Sequence, residues 1–175
     1  MDGEILRLEV PAPSASYPGA ELVAFYRDHR LSLVRLAVLL VGDPETAEDV
    51  VQDVFARLHG TWRPGVTTLA YVRTCVLNGS RSILRRRAVA LRWRERVTDL
   101  VDSAETAALI GESRREVLLA LARLPRRQRE ALVLRYYLDL PDAEIAEIMR
   151  VRQSTVRSTT ARALARLLRE LGDNA

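Results

Sequence analysis

Thr155, Ser158, Thr159, Arg162, Arg166 and Arg169 fall on one side of a helical wheel turned by about 100° per residue. Hydroxyls and guanidiniums hydrogen-bond base edges and phosphates, so this side has the chemistry of a DNA-reading surface. Val156, Ala163, Leu164, Leu167 and Leu171 fall on the other side and form an apolar stripe for packing. A short segment with Glu144, Ile145, Ala146 and Ile148 precedes it after a brief turn, which is the helix-turn-helix plan. An ordinary surface helix also has a polar outer face. Here that face is cationic and hydroxylated with only Glu170 to balance it, and such segregation favours DNA.

A second constellation is acidic. Glu45, Asp49 and Asp53 follow one another at four-residue steps, with Gln52 beside them. Like charges at that spacing cost an isolated helix about 0.2–0.5 kcal/mol per pair, so the stripe predicts a basic protein partner. The positive end of the helix accounts for Glu45 and Glu48 but poorly for Asp53. A third stretch carries Trp62, Tyr71, Asn78 and Ser80 ahead of Arg81, Arg85, Arg86 and Arg87. Aromatics beside arginines suit single-stranded nucleic acid, where bases stack on rings and the backbone follows the positive charge. Trp62 taken alone reads better as a core residue.

Other chemistries find no support. Cys75 is the single cysteine, and His29 and His59 have no ligand or orienting partner at a useful spacing, so neither a metal nor a cofactor is expected. No nucleophile–base pair or glycine-rich phosphate loop stands out, and no enzymatic activity is expected. The longest apolar runs, Leu36 to Val41 and Val117 to Ala122, are too short to span a bilayer, and the first residues lack an apolar signal core; a cytoplasmic protein without membrane insertion is expected. All 27 basic residues are arginine against 23 acidic ones, a net charge of +4 that fits a polyanion partner without proving one.

The elements that position these residues are helical. Aromatics are 5% of a chain that is 48% hydrophobic, so the core is aliphatic and the class all-α. Prolines make residues 1–20 a flexible tail. Leu22, Phe25, Tyr26, His29, Leu33, Leu36 and Leu40 form an amphipathic helix that ends near Gly42. Asp43 and Pro44 cap the next helix, whose inner face is Ala47, Val50, Val51, Val54, Phe55 and Leu58. A third helix spans 67–90. These make one domain over residues 21–92. The mixed, acidic stretch 93–112 reads as a linker, and residues 113–175 form a second domain with Val117, Leu118, Leu121, Leu124, Leu132, Val133, Tyr136 and Tyr137 in its apolar pattern.

AEDVVQDVFARL, AYVRTCVLNGSRSILRRR, and LARLPRRQREALVLRYYLDLPDAEIAEIM followed by STVRS resemble, in order, regions 2.2, 2.3–2.4 and 4.1–4.2 of the sigma-70 family. The two-domain length is similar to its extracytoplasmic-function, sigma-E-like branch. The resemblance implies a sigma-2-like bundle that binds core RNA polymerase and melts the −10 element, and a sigma-4-like helix-turn-helix that reads −35. It implies contact of Asp49, Gln52 and Asp53 with the β′ clamp helices, and of the chain with the β flap, with promoter DNA and with an anti-sigma factor. Asn78 matches a position near the pocket for a flipped −10 base, and Arg85 and Arg86 match phosphate-binding positions; Trp62 and Arg81 join this −10 set. Arg157, Ser158 and Arg162 match −35 contacts, beside Thr155, Thr159 and Arg166 from the wheel. Arg157 lies off the polar face and is expected to reach a phosphate.

Three positions depart from the family pattern: Arg150 in the turn, Arg152 at the cap and Thr159 on the outer face. A left-handed backbone at Arg150 costs roughly 1 kcal/mol. The rival readings are a stand-alone helix-turn-helix regulator, which leaves the acidic stripe unused, and an adaptor that binds only proteins.

Overall fold

The computed structural model describes residues 19–93 and 112–172, which form helices joined by short turns with no strand among them. The expected tail of residues 1–20 and linker of residues 93–112 lie almost wholly outside the described residues.

The first corner shows how sequence becomes architecture. Helix α1 (Ala20–Val41) stops at Gly42, whose φ of 94° suits glycine and whose N–H bonds to the Val38 carbonyl at 2.8 Å. Asp43 then turns extended and accepts the Thr46 N–H at 2.8 Å, and Pro44 opens α2 (Pro44–His59). Burial raises the Asp43 pKa, but its bonds to Thr46 and the Arg87 guanidinium outweigh this and hold the carboxyl below its ordinary value. A carboxylate lowered in this way stabilises the corner at neutral pH, and the contribution is lost as pH falls through the folded-state pKa.

Helix α2 buries the six residues its periodicity predicts and packs between α1 and α3 (Leu69–Trp93). Val50, Val51 and Val54 meet Leu33, Leu36, Val72 and Val76 in an aliphatic core. Gly79 permits the close approach of α2 to α3, since a Cβ there would sit 3.1 Å from Val50 Cγ1. The third helix is shifted by two or three residues from the expected 67–90 span, as helix ends often are.

The second group begins with α4 (Glu112–Arg123) and, after Pro125, α5 (Arg126–Leu132). A wide π-helical turn follows at Val133–Tyr137, in which the Leu138 N–H bonds to the Val133 carbonyl at 3.2 Å. Helices α6 (Asp142–Met149) and α7 (Gln153–Gly172) complete the domain. Between them Arg150 takes the left-handed conformation, φ 54° and ψ 52°, and the Val151 N–H closes on the Ala146 carbonyl at 3.0 Å. The strained turn that the sequence flags at Arg150 is therefore present.

Three residues of the predicted apolar pattern are not core. Val117, Tyr136 and Tyr137 are 39%, 63% and 37% exposed, because the π turn carries both tyrosines outward and Val117 edges an open groove with Leu121, Leu164 and Leu167. Leu132 and Val133 are buried as expected, and Leu134, outside the predicted pattern, is buried with them. The two helical groups also touch: Val133, Leu134 and Ile145 join the same cluster of buried side chains as Leu36 and Leu40. Arg129, 9% exposed, donates to the Leu40 carbonyl at 2.7 Å and to the Ala122 and Leu124 carbonyls, while the Tyr137 hydroxyl donates to the Ser32 carbonyl at 3.0 Å.

Candidate nucleic-acid and protein interfaces

Helix α7 is held by a narrow strip in which Val156, Thr160 and Ala163 are buried. Thr155, Arg157, Ser158 and Arg162 beside it are all exposed, and Arg157 stands in the open although the wheel places it off the polar side. Ser158 donates to the Thr155 carbonyl and Arg162 Nε to the Ser158 carbonyl, both at 3.1 Å, which leaves the terminal nitrogens of Arg162 unengaged. Thr159 is half-buried. Arg166 is also half-buried and faces Glu170 at 3.7 Å, a carboxylate that Arg123 shares from α4 at 3.5 Å. The outer face thus divides into a free N-terminal half and a second half tied back to the domain.

The acidic stripe divides in a similar way. Glu48 pairs with Arg30 of α1 at 3.0 Å. Asp49, Gln52 and Asp53 are exposed on the side away from the core, and the two carboxylates have no ion pair among the described residues. Helix α2 therefore buries one face completely and leaves three exposed carboxylates, Glu45, Asp49 and Asp53, without an ion pair among the described residues and one turn apart on the other.

On α3 the predicted residues meet different surroundings. Asn78 is exposed in mid-helix, and its Oδ1 accepts from Arg81 Nη1 at 3.1 Å, a side-chain bond rather than a local backbone one. Arg85 is exposed and donates to Ser82 Oγ at 3.1 Å; Arg86 is exposed. Arg87 is not free, since it bonds Asp43 and Thr46 at the α2 cap. Arg81 is engaged by Glu130 of α5, a partner no local pattern could reveal. Asn78, Arg81 and Arg85 line one cleft of about 490 Å³ with Arg126, Arg127 and Arg150. Trp62 lies elsewhere: it is half-buried, edge-on to Phe25 at 5.0 Å, in a group with His29, Phe55 and Tyr26. The structure brings Asn78, Arg81, Arg85 and Arg86 onto one helix and sets Trp62 among the aromatics of α1 and α2.

Sequence reasoning missed the apolar groove. Exposed Val117, Tyr136 and Leu164 line it together with Leu121 and Leu167, and Leu168 is 60% exposed on the same helix as Leu164 and Leu167. The signal was present in the alternation of Leu164, Leu167, Leu168 and Leu171, which is wider than α6 alone could cover. No helix among the described residues is long and apolar enough to cross a membrane.

Two helical domains, the second ending in a helix-turn-helix with a free cationic face, define a DNA-binding transcription factor. Sigma-70 region 2 matches residues 25–89, and Sigma-70, region 4, matches residues 114–167. The chain is 32% identical over 157 residues to the RNA polymerase sigma-E factor of Streptomyces antibioticus, covering 86% of this chain and 84% of that one. It is 33% identical over 150 residues to the ECF RNA polymerase sigma factor SigM of Mycobacterium tuberculosis, covering 84% and 75%. Among solved structures, the sigma factor RpoE of Bartonella quintana, crystallised with the anti-sigma factor NepR, shares the fold with a TM-score of 0.67 at 24% identity, over 85% of this chain and 97% of that one. The chain belongs to the sigma-70 family, in its extracytoplasmic-function branch. It acts as a sigma factor, directing RNA polymerase to initiate transcription at promoters, and the match over residues 25–89 removes the case for a stand-alone regulator or an adaptor.

Proposed function

We propose that the work is divided between a first domain of residues 21–92 and a second of residues 113–175, joined by residues 93–112. Asp49, Gln52 and Asp53 dock on the β′ clamp helices of core polymerase. Asn78, with Arg81, Arg85 and Arg86, captures an unstacked base of the −10 element and holds its phosphates, and Trp62 supports that domain from its aromatic cluster. Thr155, Arg157, Ser158 and Arg162 read −35 as duplex, with Thr159 and Arg166 at the margin. The groove lined by Val117, Tyr136 and Leu164 fits the β flap, because a contiguous apolar patch on a small domain marks an interaction surface. The protein performs no chemistry, works in the cytoplasm and is controlled by an anti-sigma factor, as the Bartonella quintana relative's complex suggests.

The observation that carries this reading is the free N-terminal half of the α7 face, which presents hydroxyls and guanidiniums to solvent with its opposite face packed. Run-off transcription tests it. Core polymerase supplemented with the chain should initiate at a cognate promoter, and core that remains silent on every promoter of a genomic library overturns the reading.

Within that assay, Arg162→Ala should weaken −35 recognition by about 1–3 kcal/mol, and the loss should depend on the base pair present. A loss equal across promoter variants would assign Arg162 to phosphate alone. Asn78→Ala should slow promoter opening while sparing core binding and closed-complex formation, since its amide offers a donor and an acceptor to an extruded base. Permanganate reactivity of the −10 region checks this beside a melting curve. Normal opening with a lowered Tm would make Asn78 a structural residue.

A further inference from the structure

The start of α1 carries a surface feature that the interfaces above leave unused. Gly19, Ala20, Val23, Ala24 and Arg27 line a trough of about 350 Å³ together with His59 at the end of α2. Its walls are almost wholly carbon, and Val23 is 55% exposed there. A lone exposed valine is ordinary. Here small residues one turn apart leave a concavity beside it, and an apolar concavity suits an aliphatic side chain. Arg27 and His59 are the two ionisable residues of the lining, and Arg27 is exposed without an ion pair among the described residues.

The chain that lies outside the described residues enters at this same place, because Gly19 is both the first residue described and part of the lining. Within residues 1–18, the stretch 5–10 holds Ile5, Leu6, Leu8 and Val10, and Asp2, Glu4 and Glu9 outnumber Arg7. Leu6, Leu8 and Val10 alternate with Arg7 and Glu9, a period of two that sets the aliphatics on one side of an extended segment. That side matches the carbon-lined trough. The excess of carboxylates matches Arg27 and the positive end of α1, where Gly19 brings no side-chain cap. Residues 11–18 connect the stretch to Gly19 and span at most roughly 26–29 Å, ample to double back over a trough that begins at the point of entry. So short a tether gives an effective concentration on the order of millimolar, so a contact of only millimolar strength is substantially filled.

We propose that residues 5–10 of this chain dock in cis on the trough between the start of α1 and His59, with Leu6, Leu8 and Val10 facing in. His59 and Gln52 are seven residues apart, which puts them on one side of α2 at a distance of about 10 Å. The docked stretch therefore borders the face proposed for core polymerase, although the docking itself stands independently of that reading.

Disulfide trapping in the full chain tests the docking. In a Cys75→Ala chain, Leu8→Cys with Val23→Cys should oxidise to an intramolecular cross-link on the order of tenfold faster than Leu8→Cys with Leu31→Cys. Leu31 is 64% exposed on the same helix but outside the trough, so it reports what an undocked tether does. Arg7→Cys with Val23→Cys should lag in the same way, because Arg7 alternates to the other side. Without any cysteine introduced, the methyl resonances of Val23 and Ala24 and the ring resonances of His59 should shift when Leu6, Leu8 and Val10 are all replaced by serine, a change that leaves the net charge as it was. Equal cross-linking of the trough pair and either control would overturn the proposal, as would resonances at Val23, Ala24 and His59 that ignore the serine replacements. Cross-linked dimers in place of the cross-linked monomer would give the trough to a second copy of the chain and overturn docking in cis.

Discussion

A chain carrying Asp49→Arg with Asp53→Arg is expected to fall to background in co-purification with core RNA polymerase while keeping its helical circular dichroism. Both carboxylates stand on the exposed side of α2, free of ion pairs among the described residues, and the side opposite them supplies the buried stripe from Ala47 to Leu58. Reversing them touches no packed atom, and surface changes of that kind alter folding stability little. Against a basic partner the same reversal replaces attraction by repulsion, a change of several kcal/mol. Glu48 provides the control, because its bond to Arg30 ties α2 to α1; Glu48→Arg should lower Tm before it lowers affinity. Unaltered co-purification of the double variant would remove the interface from this face, and a loss of helicity would show the stripe to be structural.

The second large effect belongs to Arg129. The last carbonyls of a helix have no partner within it. Two such ends converge on this one guanidinium, the Leu40 carbonyl of α1 and the Ala122 carbonyl of α4, with the Leu124 carbonyl beside them. Burial lowers the pKa of Arg129, yet the group has carbonyl dipoles on several sides and remains a cation at any ordinary pH. Arg129→Met keeps much of the side-chain volume and removes every donor. Carbonyls left without partners then cost about 1–3 kcal/mol each where they stay buried, so a loss of roughly 3 kcal/mol is expected in chemical denaturation. Arg129→Lys, which can satisfy fewer of the carbonyls at once, should fall between. A Met variant as stable as the parent would show that water replaces the guanidinium without cost.

Much of this was legible in one dimension. Gly42, Asp43 and Pro44 announce the first corner because each acts on its own backbone, and the α2 stripe follows from period alone. The helix-turn-helix was equally plain, down to the strain at Arg150. What escaped depends on partners distant in sequence. Nothing local in Arg81 says that a carboxylate 49 residues away will claim it, and nothing in Arg129 points to a carbonyl 89 residues back. A wheel assigns Thr159 and Arg166 to an outer face by angle, yet both are half-buried in the fold, and the Glu170 that Arg166 faces is shared with Arg123 of α4. Trp62 shows the same limit: beside arginines in the sequence it suggests stacking on bases, while in the fold its nearest ring is Phe25.

The π turn at Val133–Tyr137 holds one residue more than an α-helical path would need. Its position, against the first domain through Val133, Leu134 and Tyr137 and ahead of the helices that carry the DNA-reading face, makes it a rotational gauge. Deleting a single residue there would let α5 continue as a regular helix and would swing everything after it by about 100° about that axis. Ile145 and Val156 would leave the core they share with Leu134, and α7 would present a different side outward. The spacing between Leu132 and Pro141 is thus under a length constraint as strict as that of any helix interior.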